Sequence, residues 1–397
     1  MEEPRQPRTL VEAAFRARDR ITRVTGEPCS MEWRSLPSPS PEPPPTVAVD
    51  GGSIRLETET TTIYAVKAWA GVFDPTLSME EEIANAGPVV PPEYADERIS
   101  IYREILEAAL AARHTPRRGL LLLDGSIRPV LRWWRPGFTR RGMRMGTAIN
   151  EALRSVEEWA KSGSPLAKAV EGCRSLGAPS CLEELIRSSP IRPASAELAH
   201  ELGPRVGDWI VLVEVMEKLY LYKEAIEAAW RAGSTPVFIT KTSRQRSLCG
   251  EGQARPDVYY IKRIHPAEPG YTIAGGGVVV GAYNITGIAS GGGDRLGSLY
   301  PQQMGIAGFY EERIALVEAY ARLAPGAPIL LVGVVLPAGD ASVYRLEEAL
   351  SQLQAIPGDG YPAPLFIAHH KAKVQREEAR ALEGMLMDSR ERSMLEF

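Results

Sequence analysis

The chain has 397 residues, of which 44% are hydrophobic and 24% charged, and its formal net charge is −4. This composition is that of a folded globular protein. The charge excludes a uniformly basic nucleic-acid binder, although a locally basic groove is compatible with an acidic exterior. The sequence has no apolar run long enough to cross a bilayer and no apolar stretch typical of a signal peptide near residue 1. We therefore expect a cytoplasmic protein with no membrane partner.

The first 45 residues predict an N-terminal arm. Apolar residues recur at near-helical spacing over residues 8–24, which predicts a helix. Prolines dominate residues 36–45. Because proline lacks a backbone N–H and fixes φ, this segment should be a stiff, extended linker. The predicted organisation is a helical arm with a proline-rich linker over residues 1–45, followed by one folded domain over residues 46–397.

The folded domain begins with β-structure and then alternates strands with helices. The first three predicted strands, with short turns at Gly51-Gly52 and Thr60-Thr61, form an antiparallel meander. These strands cover residues 47–50, 54–59 and 62–73, and later strands cover 120–124, 236–239, 276–282 and 329–336. The predicted helices cover residues 95–113, 208–232, 310–323 and 344–356, and a mostly helical insertion covers about 128–206. This order predicts an α/β fold: an RNase H-like mixed sheet flanked by helices.

Two aspartates follow apolar strands and precede glycine. Asp50 comes after Val47-Ala-Val, and Asp124 comes after Leu120-Leu-Leu-Leu. Each Asp-Gly pair alone is a common turn dipeptide. If the two strands are neighbours, however, the carboxylates converge at one edge of the sheet. Mg²⁺ and Mn²⁺ prefer such oxygen ligands, and two ions about 4 Å apart can activate water for attack on a phosphodiester.

A third carboxylate should come from the helix before Asp124. Glu104 and Glu107 lie three residues apart and share part of one helix surface. Glu107 stands in the less polar half of the helix, where burial without a cation would be costly. The simpler alternative is that both are solvated surface glutamates.

The C-terminal part contains a further cluster of polar groups. His369 and His370 are adjacent in a chain with only five histidines, and Tyr361 precedes them. A histidine here suggests a metal ligand or an acid/base group. Tyr361 could orient a water or a phosphate oxygen. A capping or core histidine and a buried tyrosine with a satisfied hydroxyl are the structural alternatives.

Two basic segments suit contact with DNA. Lys241 and Arg244 follow a predicted strand and could hold phosphates, although charged loop residues are more often simply solvated. Residues 128–144 hold six arginines interleaved with aromatic residues. That mixture fits single-stranded DNA, with Arg132, Trp133 and Arg135 as candidates. An interface or a packed helix pair would explain the segment equally well.

Five short motifs together resemble the NurA nuclease family. They are VAVDGGS at 47–53, YREILEAAL at 102–110, LLLDGSI at 121–127, ITKTSR at 239–244 and YPAPLFIAH at 361–369. The resemblance implies an RNase H-like fold, Mn²⁺-dependent DNA cleavage and a ring-shaped homodimer. It also implies that the protein acts together with the hexameric HerA ATPase/translocase in double-strand break repair. Its implied activities are 5′-to-3′ exonuclease and single-strand endonuclease action.

By position, the resemblance assigns catalytic roles to Asp50, Asp124, Tyr361 and His369. Glu107 is our choice for the helical glutamate, with Glu104 as the fallback. One departure is the doubled glycine after Asp50, where the family often has Asp-Gly-Ser, and this should add a residue to the turn.

The expected function is a two-metal-ion deoxyribonuclease acting in DNA end resection. Asp50, Glu107, Asp124 and His369 would bind Mn²⁺ or Mg²⁺. One alternative is a non-catalytic RNase H-like clamp on DNA or regulator of an ATPase. Another is an ASKHA-type sugar kinase or ATPase, which the absence of a recognisable second phosphate loop in the sequence disfavours.

Overall fold

The computed structural model describes residues 31–57, 61–89, 92, 94–131, 206–249, 255–281 and 306–386. The predicted helix over 8–24 and nearly all of the predicted insertion lie outside these residues. So do three of the predicted DNA-binding residues, Arg132, Trp133 and Arg135.

The described residues form one eight-stranded mixed sheet with the order β3-β2-β1-β4-β5-β8-β7-β6. The strands are β1 Thr46–Glu57, β2 Thr62–Phe73, β3 Leu77–Pro88, β4 Leu120–Asp124, β5 Thr235–Thr240, β6 Gly270–Val280, β7 Ile314–Arg322 and β8 Leu330–Pro337. The β1–β4 and β4–β5 pairs are parallel, and the other pairs are antiparallel. A three-stranded meander joined to two parallel strands is the RNase H-like arrangement that the sequence predicts.

Helices cover both faces of this sheet. They are α1 Ala95–Arg113, α2 Val206–Arg231, α3 Asp257–Ile264, α4 Val343–Ala355, α5 Ala363–Ala372 and α6 Arg376–Leu386. Alternate residues of β4 enter different cores: Leu121 and Leu123 pack with α1 and α2, and Leu120 and Leu122 pack with α4 and α5. Burial on both faces explains why this strand is continuously apolar. None of the helices in these described ranges is both long and apolar enough to cross a membrane.

The predicted helix over 310–323 is wrong. Residues Phe309–Arg313 form a π-helical turn, and Ile314–Arg322 is the strand β7, in which all nine residues are buried. Its alanines and charged residues favour a helix by composition. The strand is nevertheless paired along both edges, with β6 and β8, and tertiary packing overrides that preference.

The meander also differs from the predicted one. The strand β1 runs without a turn through Gly51-Gly52 to Glu57, so Asp50 lies inside a strand rather than at its end. The third strand of the meander is β3, which the sequence analysis missed. Its centre carries three consecutive glutamates, Glu80 to Glu82, which obscure the alternating pattern. Charged residues of this kind are typical of a strand at the edge of a sheet.

The segment that precedes β1, which includes the proline-rich residues 36–45, is attached to the domain. Arg34 exchanges two backbone hydrogen bonds of 2.8 and 2.9 Å with Tyr271 of β6. Further along, Ser40 N–H donates to the Ser351 carbonyl at 3.0 Å, and the Gln354 side chain donates to the Pro37 carbonyl at 2.9 Å. This segment therefore lies along α4 and adds contacts to the fold.

Candidate metal centre

Asp50 and Asp124 stand side by side in neighbouring strands. Val49 of β1 pairs with Leu123 of β4 in parallel register, so the next residue in each strand is an aspartate. Ala48 and Leu122, two positions earlier, face the core beneath α4 and α5. Because side chains alternate along a strand, both aspartates point to that same face. The convergence that the sequence analysis made conditional on strand pairing is present.

His369 of α5 completes a group of three. Its Nδ1 lies 2.8 Å from Asp50 Oδ2 and 3.7 Å from Asp124 Oδ2. One ligand atom from each residue lies within 4.8 Å of the other two. Two carboxylates and an imidazole are a donor set that suits Mn²⁺. The Asp50 side chain is 9% exposed and that of His369 is 53% exposed, so the group opens to solvent on the α5 side.

The electrostatics of the group also fit a cation. Burial raises the pKa of Asp124, and the neighbouring Asp50 carboxylate raises it further, while Lys241 and His369 act in the opposite direction. The Lys241 ammonium lies 3.9 Å from Asp124 Oδ2. The upward shift means that the surrounding positive groups compensate the negative charge incompletely. A divalent ion would supply the missing positive charge.

The doubled glycine allows two helices to approach β1 closely. A Cβ at Gly51 would lie 2.4 Å from Glu107 Oε1 of α1, and a Cβ at Gly52 would lie 2.1 Å from the Ala372 carbonyl oxygen of α5. Both distances are far shorter than van der Waals contact. Gly51 therefore makes room for the helical glutamate, and Gly52 makes room for the end of the helix that carries His369. The expectation that the second glycine lengthens a turn is wrong.

Glu107 is buried on the α1 side of the sheet. Arg103 Nε lies 3.2 Å from its Oε1, and the Tyr222 hydroxyl donates to its Oε2 at 3.3 Å. Burial raises the pKa of Glu107 to about 8 against the opposing effect of Arg103, and Asp50 and Glu104 raise it further. Among the described residues, Glu107 is not part of the group whose ligand atoms lie within 4.8 Å of one another.

Glu104, the fallback, has a different partner. Its Oε2 lies 3.1 Å from the ammonium of Lys218 in α2, and both side chains are buried. Glu104 thus forms an ion pair with a lysine, whereas Glu107 lies against the strand that carries Asp50. Because Glu107 is itself paired with Arg103, this contrast does not test the choice, and Glu107 as the helical glutamate stays a prediction.

Comparison with known proteins identifies the family. A model of the NurA domain matches residues 44–374, which is most of the chain. The chain belongs to the NurA family. No curated protein sequence matches it significantly.

Solved NurA structures share its fold. The NurA nuclease from Sulfolobus solfataricus is 16% identical, with a TM-score of 0.59 over 96% of each chain. A NurA structure with bound dAMP and manganese is 20% identical, with a TM-score of 0.54 over 96% of this chain and 94% of that one. Another, with manganese, is 16% identical, with a TM-score of 0.51 over 96% and 98%. At these identities the likeness establishes the fold.

Tyr361, which the resemblance to NurA singled out, lies close to Asp124 and Asp50. The Lys241 ammonium is 4.1 Å from the centre of its ring, a cation–π contact that the sequence analysis missed. Its hydroxyl is buried and has no hydrogen-bond partner among the described residues. Burial raises the pKa of Tyr361, as do Asp124 and Asp50, so the hydroxyl keeps its proton at neutral pH. It can therefore donate to a substrate oxygen.

We expect Tyr361→Phe to separate stability from activity. Removing an unsatisfied buried hydroxyl should leave the free energy of unfolding unchanged or raise it by up to about 1 kcal/mol. If the hydroxyl contacts the substrate, kcat for DNA cleavage should fall about tenfold to a hundredfold. Urea titration and initial rates would measure the two effects. A variant with unchanged rates would remove Tyr361 from the catalytic machinery.

The predicted phosphate-binding residues differ in their surroundings. Lys241 follows β5 and belongs to the site through Asp124 and Tyr361. Arg244 is exposed on the same loop.

Two residues that hold Glu107, Arg103 and Tyr222, were not predicted from the sequence. Helical spacing could have found Arg103, four residues before Glu107, whereas Tyr222 comes from a distant helix and had no local signal.

Proposed function

We propose that this protein is a metal-dependent deoxyribonuclease, a phosphodiester hydrolase of the two-metal-ion type. One observation carries the proposal: Asp50, Asp124 and His369 converge within 4.8 Å in a chain of the NurA family. Mn²⁺ is the proposed cofactor, with Mg²⁺ as the alternative, and the related NurA structures that contain manganese support this choice. The proposed ligands are Asp50, Glu107, Asp124 and His369.

The side chains around the metal ligands have complementary roles in this proposal. Divalent ions, when bound, supply a Lewis acid that polarises the phosphodiester and activates water. Lys241, held between Asp124 and the Tyr361 ring, places a positive charge beside the scissile phosphate. The Tyr361 hydroxyl donates to a phosphate oxygen or positions the attacking water. Arg244, exposed on the same loop as Lys241, contacts the backbone of the bound strand.

The biological setting is proposed from family membership. The enzyme would resect DNA ends in double-strand break repair, as a 5′-to-3′ exonuclease and single-strand endonuclease, in the cytoplasm. Its partners would be a HerA-type hexameric translocase and a second copy of this chain. We also propose the division into an arm, residues 1–45, and a nuclease domain, residues 46–397. The helical insertion at about 128–206 would contact DNA through Arg132, Trp133 and Arg135.

The test is cleavage of labelled single- and double-stranded DNA with Mn²⁺, with Mg²⁺ and with EDTA, each at several salt concentrations. We expect cleavage only with a divalent ion. Substrate affinity should fall steeply with salt, because phosphate contacts release counterions. DNA binding without cleavage under every metal condition would contradict the nuclease and favour the non-catalytic clamp.

A further inference from the structure

The exposed face of α5 carries a stripe of residues that includes His369 of the Asp50–Asp124–His369 group. Phe366, His369 and His370 are exposed on one side of the helix, and Lys373, the exposed residue directly after α5, extends the stripe. The opposite side, with Leu365, Ala368 and Ala372, is buried against the sheet. The helix that brings His369 to the aspartates therefore also presents an aromatic ring, a second imidazole and a cation to solvent.

Phe366 and His370 form an ordered pair of rings. Their centroids are 4.2 Å apart with an interplanar angle of 42°. His370 Nδ1 donates to the Phe366 carbonyl oxygen at 2.8 Å, which holds the imidazole over the preceding turn. The His370 ring also meets the His369 ring edge-on at 5.9 Å. The two rings thus contact each other without a ligand, and such pre-organisation lowers the entropic penalty of using them.

The exposure of Phe366 has no explanation in the core. The residue is 54% exposed, although its neighbours in α5 supply the packing against the sheet. An aromatic face beside a phosphodiester-cleaving site is suited to one ligand group, the unpaired nucleobase. Base stacking tolerates any sequence, since every base has a π-face. Lys373, at the end of the stripe, adds a positive charge for the strand's backbone.

We propose that Phe366 and His370 form a stacking platform for a nucleobase of single-stranded DNA, next to the scissile phosphate. The inference rests on the proposed nuclease function and names the residues that contact a base of the substrate. Bases of a duplex are stacked on one another and offer no free face beside the cleaved bond. The platform therefore favours single strands or frayed ends, and it reads no base identity.

The test uses oligonucleotides with 2-aminopurine, whose fluorescence falls when it stacks, placed at successive positions of a single strand. Binding is measured with the full chain carrying Asp124→Asn, so that no cleavage is needed. Phe366→Ala in this background should weaken binding about fivefold to a hundredfold and abolish quenching at one or two adjacent positions. Phe366→Trp should retain both binding and quenching.

Tyr344→Ala is the matched control. Tyr344 is 71% exposed on α4, which follows the end of β8 opposite to the aspartates. Its loss should change neither binding nor quenching. An oligonucleotide of abasic sites should bind the parent and Phe366→Ala equally. Unchanged quenching in Phe366→Ala, or equal weakening on the abasic strand, would overturn the platform. Absence of cleavage by the wild-type chain would instead count against the nuclease, which this binding assay does not require.

Discussion

Asp50→Ala and Asp124→Asn are each expected to lower metal-dependent DNA cleavage by at least about a thousandfold, because a bound ion contributes several kcal/mol to the transition state. The folded state should survive. Burial and the Asp50 charge raise the pKa of Asp124, so its ionisation lowers the stability of the metal-free protein as pH rises through that pKa. Asparagine removes this loss. The Asp124→Asn protein should therefore be at least as stable as wild type at pH 7 without metal.

Thermal unfolding with and without Mn²⁺ gives a second readout for these variants. An ion that binds only the folded state stabilises it by about 2.7 kcal/mol at a concentration one hundred times Kd. Wild type should show this rise in Tm, and both variants should lose most of it. Asp340→Asn is the control, since Asp340 is exposed beyond the far end of β8. This substitution should change neither DNA cleavage nor the rise in Tm with Mn²⁺. Cleavage retained by both site variants would exclude these aspartates as metal ligands.

The two aspartates could be predicted because each signal is local. An apolar strand followed by aspartate and glycine is visible in the sequence at Asp50 and at Asp124. Their adjacency could not be predicted in the same way, because it depends on the parallel pairing of β1 with β4 across about seventy intervening residues. His369 depends further on where α5 crosses the sheet. The glycine that permits this crossing, Gly52, resembled a turn residue in the sequence.

The errors have a common physical origin. The strand β7 has a helical composition, and β3 has three consecutive charges, so intrinsic preference misleads in both. In β7, pairing along two edges and burial of every residue determine the conformation. In β3, the glutamates are accommodated by partners outside the strand: Glu80 by Lys371, and Glu81 by Arg113. Such compensation comes from distant segments and leaves no mark on local periodicity.

Glu107→Gln should stabilise the metal-free protein increasingly as pH rises. Burial raises the pKa of Glu107 from 4.5 to about 8. The contribution of the protonated Glu107 side chain to the free energy of unfolding is therefore complete below pH 4.5 and is lost as pH rises through about 8. Glutamine stays neutral throughout. In EDTA, the variant's free energy of unfolding should exceed that of wild type by about 3 to 5 kcal/mol at pH 9, and by little at pH 5. Urea titrations at the two pH values would measure the difference.

Two further measurements decide whether Glu107 is a metal ligand or only a buried structural acid. One adds Mn²⁺, and the other uses the Glu104→Gln variant. If Glu107 binds the ion, Mn²⁺ stabilises its ionised form, so wild type should lose most of its destabilisation at pH 9, and Glu107→Gln should cleave DNA poorly. Glu104→Gln should change the stability of the protein in the opposite direction. It removes one carboxylate that pairs with the buried Lys218 ammonium and should destabilise the protein at pH 7. Full cleavage activity in Glu107→Gln, with loss of activity in a folded Glu104→Gln protein, would transfer the ligand role to Glu104. The glutamate whose substitution removes the stabilisation by Mn²⁺ is the ligand, and this readout is independent of the cleavage assay.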